Sequence, residues 1–471
     1  MKVSNSQFLL DSKEIIKKLI SMLSESYSYV SVLGTDTKSK RYAVSKMGIS
    51  IEDGLLSERG FVVRVHNGIN YSEYSFNEID EDKLIHIVEE IKCKLNKASK
   101  STSMNSYEII DEEEIEKSYL GEVLINPEDI SSEEIINTLV AMKDEALSYS
   151  DLIMNFDVVF ETSHISKIFM SNKKDLEQSY TISQCILFPL VRRDNNTKYY
   201  FDSYSGLKGF EVVLEAKSNI KRVVEESIKL LDSKTVEPGE YDVICAPDIT
   251  GLIAHEAFGH GVEMDMFVKG RAKGAEYINK EVASELTTMH DGAASASHVS
   301  SYLFDDEGTI GTDTIVIENG ILKNGISDLL SALKLGTTPT GNGKRESFER
   351  KAYARMTNTF FKSGNDKLED MIASVKKGYL LEGMYSGMED PKNWGIQCIA
   401  LLGREIIDGK ITGNLISPVL MTGFVPDVLK SITMLSDTMH LDGAGYCGKG
   451  YKELVKTANG GPYIKTKVRL G

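Results

Sequence analysis

The sequence predicts an α+β protein built from two parts, and three observations lead to that prediction. Apolar residues recur at both helical and strand spacing over residues 1–236, which predicts a domain of long helices and antiparallel strands. The segment Glu237-Pro238-Gly239 is a turn signal that ends the last helical pattern. Beyond it glycine is frequent and strand patterns are short, so residues 237–471 are predicted to form a mainly-β domain with one helix inserted near its start.

Four helices are predicted in the first domain. The first begins at Asp11-Ser12, a helix-start signal, and one face of it carries Ile15, Ile16, Leu19, Ile20 and Leu23. The same apolar spacing predicts further helices over residues 79–97, 132–147 and 211–231.

Strand patterns lie between and beyond these helices. One strand is predicted over residues 29–33, and Asn67-Gly68 predicts a hairpin between residues 61–66 and 69–76. A meander of antiparallel strands is predicted over residues 153–160, 165–170, 180–188 and 197–202. In the second domain, short strands are predicted over residues 314–318, 396–402 and 405–407, with turns at Asn319-Gly320 and Asp408-Gly409.

Composition and charge argue against several functional classes. The chain of 471 residues is 41% hydrophobic and 26% charged, which is ordinary for a soluble globular protein. Its net charge of −16 argues against a nucleic-acid partner. Neither a signal peptide nor an apolar run long enough for a membrane span is visible, so no membrane partner is expected. Five scattered cysteines predict no disulfide framework and favour a cytoplasmic location.

His255, Glu256 and His260 form the group of residues that points most clearly to a reaction. They follow an apolar run over residues 241–246 and lie at the end of a helical pattern that starts at Ile249. Histidine is the commonest metal ligand, and a glutamate beside a ligating histidine is the usual base for a metal-bound water. The whole chain has eight histidines, so two in one short helix predict a metal-binding helix.

The spacing of the two histidines departs from the His-Glu-x-x-His pattern of zinc proteases. Histidines four residues apart lie about 40° from each other around an α-helix, whereas His255 and His260, five apart, would lie about 140° apart. A π-bulge, which adds one residue to a turn, would bring them to one face, and Gly259 is a place where the backbone can deform. The alternative is an ordinary buried helix with two hydrogen-bonded histidines.

A catalytic zinc site needs a third protein ligand and one open position. The candidates outside the helix are several carboxylates together with Cys245, His290, His298, Cys398, His440 and Cys447. Cys447 has the most suggestive surroundings, because glycines flank it and Lys449 favours the thiolate. A buried cysteine in a tight turn would explain the same pattern. Glu263 and Asp265 are either acids that orient a ligating imidazole or surface acids.

Five segments, in order across roughly the last half of the chain, resemble the TldD/PmbA family: residues 253–265, 305–308, 340–347, 355–359 and 445–449. Proteins of this family were once described as modulators of DNA gyrase and are now regarded as metallopeptidases. The His-Glu-x-x-x-His form of residues 255–260 is specific to the catalytic, TldD-like members, and the PmbA-like (TldE) partners lack it. The amino-terminal half is compatible with the same family.

The resemblance implies that His255, His260 and Cys447 bind Zn²⁺ and that Glu256 is the general base for the zinc-bound water of a peptidase. It implies a homodimer, or a heterodimer with a PmbA/TldE-like chain, whose enclosed site admits unfolded peptides or peptide precursors. Peptide would bind as an added strand, in a groove that residues 355–359 could line. The alternative is a non-enzymatic dimeric peptide-binding protein with a structural metal, which requires a fourth ligand such as His290, His298 or Cys245.

Overall fold

Two large β-sheets, one from each half of the chain, organise the structure, a computed structural model that describes residues 1–99, 106–451 and 453–471. Helices cover the first sheet, and short helices and long loops surround the second. Within the described residues, no helix is both long and apolar enough to cross a membrane.

Nine strands form the first sheet: β1 (Tyr29–Ser45), β2 (Gly48–Asp53), β3 (Glu58–His66), β4 (Tyr71–Phe76), β5 (Ile115–Leu120), β6 (Ile153–Ser171), β7 (Lys174–Arg193), β8 (Asn196–Tyr199) and β9 (Asp202–Gly206). The order is β4-β3-β1-β6-β7-β5; β2 pairs with β1, and β8 and β9 pair with β7. Neighbouring strands are antiparallel except β5, which is parallel to β7. The long central strands β1, β6 and β7 therefore reach across the whole sheet.

Five helices pack on this sheet: α1 (Gln7–Ser24), α2 (Leu84–Ser99), α3 (Ser132–Ser148), α4 (Glu211–Lys217) and α5 (Ile220–Lys229). Helices α1 and α2 share one apolar core with β1 and β3. Helices α3, α4 and α5 share another core with β6 and β7, and Leu401, Leu402 and Leu415 from the second half join it. Apolar burial thus links the two halves of the chain.

The second half contributes fifteen strands and five helices among the described residues. The strands are β10 (Gly239–Cys245), β11 (Met289–Asp291), β12 (Thr314–Glu318), β13 (Ile321–Leu322), β14 (Gly343–Lys344), β15 (Tyr353–Ala354), β16 (Asn358–Phe361), β17 (Lys377–Asp390), β18 (Gly395–Ile407), β19 (Lys410–Ile416), β20 (Val419–Phe424), β21 (Met434–Asp442), β22 (Tyr446–Lys449), β23 (Glu453–Lys456) and β24 (Ala458–Leu470). The helices are α6 (Pro247–Leu252), α7 (Met264–Val268), α8 (Leu329–Leu335), α9 (Leu368–Ala373) and α10 (Val425–Lys430).

The second sheet closes on itself. Its order is β10-β17-β18-β20-β24-β16-β11-β12-β13, and an additional pairing of β24 with β10 joins β10, β17, β18, β20 and β24 into a ring. Strand β10 ends at Cys245, opposite Leu381 of β17. Past Leu381, no described strand pairs with that edge of β17. The Met384 N–H donates to Asp248 of the helix that follows β10, and residues 385–390 present a free edge beside that helix.

The broad prediction of a mixed helix-and-strand molecule with a strand-rich second half is confirmed. The predicted helices at residues 79–97 and 132–147 are present, and so is the hairpin at Asn67-Gly68. The loop of this hairpin has four residues rather than two, since the last strand pair is His66 with Tyr71. The boundary between residues 1–236 and 237–471 stays a prediction; the structure places the start of β10 there.

Several predicted element limits are wrong. Helix α1 starts at Gln7, before Asp11-Ser12, because the Ser6 hydroxyl caps it by accepting from the Leu9 N–H. The strand predicted over 29–33 continues to Ser45, the strands predicted over 153–160 and 165–170 are the single strand β6, and residues 405–407 are the end of β18. The helix predicted over 211–231 is interrupted near Ser218 and Asn219, whose side chains donate to the Glu215 carbonyl.

Candidate metal centre

The helix after β10 changes its winding at the two histidines. It starts as α6 with Pro247 in its first turn, a position where proline fits because its missing N–H needs no partner. Residues Ile253–Gly259 then form a π-helical turn, and His260–Val262 form a 3₁₀ turn. The His260 N–H donates to the His255 carbonyl, so the two histidines lie one π turn apart. The distorted turn that their spacing required is therefore present.

Gly259 serves packing rather than an unusual backbone conformation. It belongs to the π turn, as the spacing predicted, but its φ of −60° is one that any residue can adopt. A Cβ at this position would lie 2.0 Å from the Sδ of Met356, a fully buried side chain. The glycine lets Met356 pack against the π turn, an arrangement that no feature of the local sequence reveals.

Cys447, on β22, is brought to the two histidines from almost 190 positions further along the chain. Its Sγ lies 3.5 Å from Nε2 of His260, and the rings of His255 and His260 are 5.2 Å apart between centroids. One ligand atom from each of the three residues can be chosen so that all lie within 4.8 Å of one another. The Nδ1 atom of His255 is buried and has no hydrogen-bond partner among the described residues.

The flanking glycines of Cys447 are not in close contact with other parts of the described chain. A Cβ at Gly445 would meet nothing within 4 Å, and one at Gly448 would make only an ordinary contact, 3.5 Å from Leu454. What holds the Cys447 segment is a set of hydrogen bonds. Arg355 donates from its guanidinium to the carbonyl of Cys447, and the Tyr446 hydroxyl donates to Oε1 of Glu161, 2.8 Å away, in the first half of the chain.

Glu263 holds His260 in place. Its Oε2 lies 3.2 Å from Nδ1 of His260, which leaves Nε2 directed at Cys447. Lys449 donates to Glu263 at 3.0 Å and to Asp265 at 2.6 Å, so the two acids also anchor the segment that carries Cys447. Both acids are buried, so the alternative that they are surface acids is wrong.

The expectation that residues 355–359 line a groove is wrong. All five of these residues are buried. Thr357 and Thr359 donate hydrogen bonds to Asp291, and Asn342 donates to the same carboxylate. The segment is a buried polar support under the cluster, with Arg355 as its link to Cys447.

Burial and neighbouring charges shift the pKa values of the cluster in opposite directions. Burial would raise the pKa of the Cys447 thiol, but His255 and His260 beside it hold that pKa well below its usual range. Burial would lower the pKa of His260, but Glu263 and then Cys447 raise it well above its usual value. Burial would raise the pKa of Glu263, and Lys449 and His260 lower it to about 2. The thiolate form of Cys447, the imidazolium form of His260 and the carboxylate form of Glu263 thus favour one another.

A cavity of about 570 Å³ opens onto the cluster. His255, His260 and Cys447 line it, and so does Glu256, which follows His255 directly. Glu389 of β17 also lines the cavity, and both of its carboxyl oxygens are buried without a hydrogen-bond partner among the described residues. Burial, together with Glu263 and Glu256, raises the pKa of Glu389 to about 9. Sequence analysis missed Glu389, since it lies far from the histidines in the chain and no pattern surrounds it.

The other candidate ligands lie elsewhere. Cys245 and Cys398 belong to the apolar core of the second half. His290 is bonded to Asp313 at 2.8 Å, and its ring stacks on Phe360. His298 and His440 line a different cavity. Within the described residues, no further histidine, cysteine or carboxylate joins the group of three.

The sequence of the second half is similar to a known family. Residues 238–468 match the model of the PmbA/TldA metallopeptidase C-terminal domain. A metalloprotease of Methanocaldococcus jannaschii is 29% identical over 89% of this chain and 93% of its own length. A zinc metalloprotease TldD homolog of Saccharolobus solfataricus is 28% identical over 72% of this chain and 75% of its own length. A metalloprotease TldD homolog of Buchnera aphidicola is 37% identical over about half of each chain, at 49% and 47%.

Solved structures share the fold over nearly the whole chain. One is a protein of Thermotoga maritima described as a modulator of a DNA gyrase, with a TM-score of 0.79 and 17% identity over 98% of this chain and 100% of that one. Another is TldE of Thermococcus kodakarensis, with a TM-score of 0.76 and 18% identity over 97% and 100% of the two chains. The relatives by sequence define a class of metalloproteases. Within that class, the chain belongs to the TldD/PmbA family.

Proposed function

We propose that this protein is a zinc metallopeptidase that hydrolyses unfolded peptides or peptide precursors. The observation that carries the proposal is the convergence of His255, His260 and Cys447, with ligand atoms within 4.8 Å of one another, on the wall of a cavity that Glu256 also lines. The names of the relatives, metalloprotease and zinc metalloprotease, support the same reaction class.

The donor set fits zinc. Two imidazole nitrogens and one thiolate are ligands that Zn²⁺ prefers, and three protein ligands with one open position are typical of catalytic zinc sites. The cavity supplies the open side. The alternative, a peptide-binding protein with a structural metal, requires four protein ligands. Among the described residues, no fourth ligand joins His255, His260 and Cys447. His290, His298 and Cys245 lie elsewhere, so we favour the enzyme over the structural-metal alternative.

Zinc, when bound by these three residues, would act as a Lewis acid toward the peptide carbonyl and the attacking water. Glu256 is then the group placed to move protons: its carboxylate takes a proton from the water and passes it to the nitrogen of the leaving amine. Glu263 acts on His260, to which it is bonded through Nδ1, and keeps Nε2 turned toward the cluster.

The free edge of β17 offers a place for an extended peptide. On that side of β17 the Met384 N–H donates to Asp248. Main-chain groups of residues 385–390 face no strand of the described chain there, and an added strand would pair with them. Gly387 brings this edge next to the proposed base, since a Cβ there would lie 2.5 Å from Cγ of Glu256. A folded substrate cannot supply such a strand, which favours unfolded polypeptides.

The protein is further proposed to act as a homodimer or as a heterodimer with a PmbA/TldE-like chain. All residues of β2 are exposed, and Met47, Ile49 and Ile51 of the β1–β2 hairpin present apolar side chains to solvent. Such a patch is typical of an association surface. The expected compartment is the cytoplasm, in keeping with five free cysteines.

The test is peptide hydrolysis by the purified full chain after chelation and after zinc is restored. An unfolded polypeptide, such as a reduced and alkylated protein, is the substrate, and its folded form is the control. We expect cleavage of the unfolded form only, lost on chelation and recovered with zinc. Zinc-dependent binding of the unfolded chain without any cleavage would favour the structural-metal alternative.

A further inference from the structure

The free edge of β17 is bounded at both ends by hydrogen bonds to other parts of the chain. At one end, the Met384 N–H donates to the carboxylate of Asp248 at 2.7 Å. At the other end, the Lys273 N–H donates to the Pro391 carbonyl at 3.0 Å. Six residues, 385–390, lie between these two contacts and are named the edge slot. At about 3.4 Å per residue, the edge slot is roughly 20 Å long.

A kink in β17 produces the end of the edge slot at Asp248. Gly383 has a φ of +76°, which favours glycine, and a Cβ there would lie 2.9 Å from Cβ of Leu401. Just past it, the register of β17 against β18 shifts between Met384 and Ser386. Asp248 lies in the first turn of α6 and holds the Met384 N–H at this kink. A bound strand therefore cannot use that N–H.

The other end is closed by the loop after α7. Lys273 starts the short 3₁₀ turn Lys273–Glu276, and its N–H meets Pro391 directly after β17 ends at Asp390. Past Pro391 the chain turns back into β18, so β17 offers no further edge. A substrate longer than the edge slot must therefore leave the sheet at both ends.

The edge slot is open, and the proposed base stands near its middle. Most side chains of the slot are exposed: Tyr385, Ser386, Met388 and Asp390. Among the described residues, no hydrogen bond reaches the main chain of residues 385–389 from the side opposite β18. Gly387 is the third of the six residues, and a Cβ there would lie 2.5 Å from Cγ of Glu256. A strand in the slot would thus extend to both sides of Glu256.

We propose that the edge slot binds one segment of about six residues of an extended substrate, and that the cleaved bond lies near the middle of that segment. This inference rests on the proposed peptidase function. It sets the substrate class by length: a peptide gains from each residue that it can place in the slot, and a longer chain gains no further pairing. Each main-chain hydrogen bond with the edge is expected to raise kcat/KM about fivefold.

A length series tests the limit of the slot. The zinc-loaded full chain is given peptides of four to twelve residues, in which alanines extend a fixed cleavable core equally at both ends. We expect kcat/KM to rise about fivefold for each hydrogen bond gained and to stay level beyond about six residues. A rise that continues to twelve residues, or no dependence on length, would disprove the slot.

Methylation of the substrate main chain locates the paired window. A twelve-residue peptide with one cleaved bond is N-methylated at one backbone nitrogen at a time, other than the nitrogen of the cleaved bond, which removes one N–H donor. In an added strand every second N–H faces the edge. We expect kcat/KM to fall about fivefold or more at alternate positions within about six residues around the cleaved bond, and to stay unchanged outside them. Losses along the whole peptide, or at no position, would contradict the proposal.

Variants at the two ends should move the limits of this window. Asp248→Ala frees the Met384 N–H and should lengthen the window by one or two residues at one end. Asp248→Asn keeps an oxygen that can accept from that N–H, so it is the matched control and should keep the wild-type window. Lys273→Pro removes the N–H at the opposite end, after Ala272, whose extended backbone suits a following proline. Its window should lengthen at the other end, and it carries the test if Asp248→Ala does not fold. A window that stays unchanged in every folded variant would contradict these ends.

Binding separates a failure of the slot from a failure of the peptidase. If no peptide is cleaved at all, the peptidase proposal fails, and the same peptides, labelled with a fluorophore, then report the slot through their affinity for the zinc-loaded chain. Affinity that rises up to about six residues and falls on N-methylation inside the window would still support the slot. Affinity independent of length and of N-methylation would overturn it.

Discussion

Two glutamates of the same helical segment have opposite surroundings, and this difference is in keeping with the different roles proposed for them. Glu256 lines the cavity and makes no hydrogen bond or ion pair with the other described residues, so its carboxylate is available to water. Glu263 is buried and contacts His260 and Lys449. These surroundings support the proposal that Glu256 moves protons and that Glu263 orients a metal ligand.

Replacement of Glu256 by glutamine should separate proton transfer from metal binding. The amide keeps the size of the side chain but cannot accept a proton, so kcat should fall by a factor of about 10² to 10⁴ or more. Zinc content should stay unchanged, because Glu256 is not one of the three clustered groups. Metal analysis and peptide cleavage on the same sample check both points, and a fully active variant would show that another group is the base.

Replacement of Glu263 by glutamine should weaken zinc binding. The amide cannot hold His260 and Lys449 by charge, and loss of such an orienting partner costs about 10- to 100-fold in metal affinity. Asp265→Asn is the control: Asp265 contacts Lys449 and Lys269, and no hydrogen bond joins it to His260. Competition with a chelator measures both variants. Equal affinities in the two would show that Glu263 does not orient His260.

The sequence predicted the clustered residues better than their supports. His255, Glu256 and His260 are adjacent in the chain and form a visible pattern, and Cys447 was one candidate among several until the family resemblance singled it out. Glu389, Arg355 and Tyr446 became meaningful only with the tertiary structure. Arg355 and Tyr446 contact residues that are distant in the chain, and Glu389 reaches the cavity from a distant strand. No local pattern encodes such an arrangement.

At the scale of elements, the π turn allows two histidines that are five residues apart to contribute to one cluster. An α-helix would turn His255 and His260 to different faces, whereas the π turn, closed by the hydrogen bond from the His260 N–H to the His255 carbonyl, brings them to one face. Met356 packs into the space left by Gly259. The spacing alone suggested the distortion, but the packing that accompanies it was not predictable from the sequence.

Replacement of Gly259 by alanine should disturb this turn. The new methyl would lie 2.0 Å from Sδ of Met356, and overpacking of a buried site costs about 1–3 kcal/mol. We expect a lower melting temperature and weaker zinc binding. Gly448→Ala, beside Cys447, is the control, since its methyl would meet Leu454 at an ordinary 3.5 Å. If Gly259→Ala melted and bound zinc like the wild type, the packing would not hold the turn.

At the scale of the whole molecule, residues of the first half of the chain contact the segment that carries the proposed metal ligand Cys447. Polar residues in the middle of the long strands β6 and β7 face the site: Glu161 accepts from Tyr446, and Gln184 accepts from Lys456. In the sequence Glu161 lies in the gap between the strands predicted over 153–160 and 165–170, which are in fact one strand. Both Glu161 and Gln184 are buried, in contact with side chains of the second half.

Replacement of Tyr446 by phenylalanine should loosen the Cys447 segment. It removes a hydrogen bond to a carboxylate, a contact that contributes about 1.5–3 kcal/mol. Zinc affinity should fall about tenfold or more, because the segment must then be ordered when the metal binds. Tyr353→Phe is the control, since the Tyr353 hydroxyl makes no hydrogen bond with the described residues although its ring lines the same cavity. Unchanged affinity in Tyr446→Phe would mean that the first half does not position the ligand.

The most direct measurement is the zinc content of the full chain beside that of Cys447→Ser, together with cleavage of an unfolded polypeptide. Cys93→Ser, at an exposed cysteine remote from the cluster, is the matched control. We expect about one zinc per chain in the wild type and in Cys93→Ser, and loss of zinc and cleavage together in Cys447→Ser. Full zinc content in Cys447→Ser would place the third ligand elsewhere, and no zinc in the wild type under any loading condition would contradict the metallopeptidase itself.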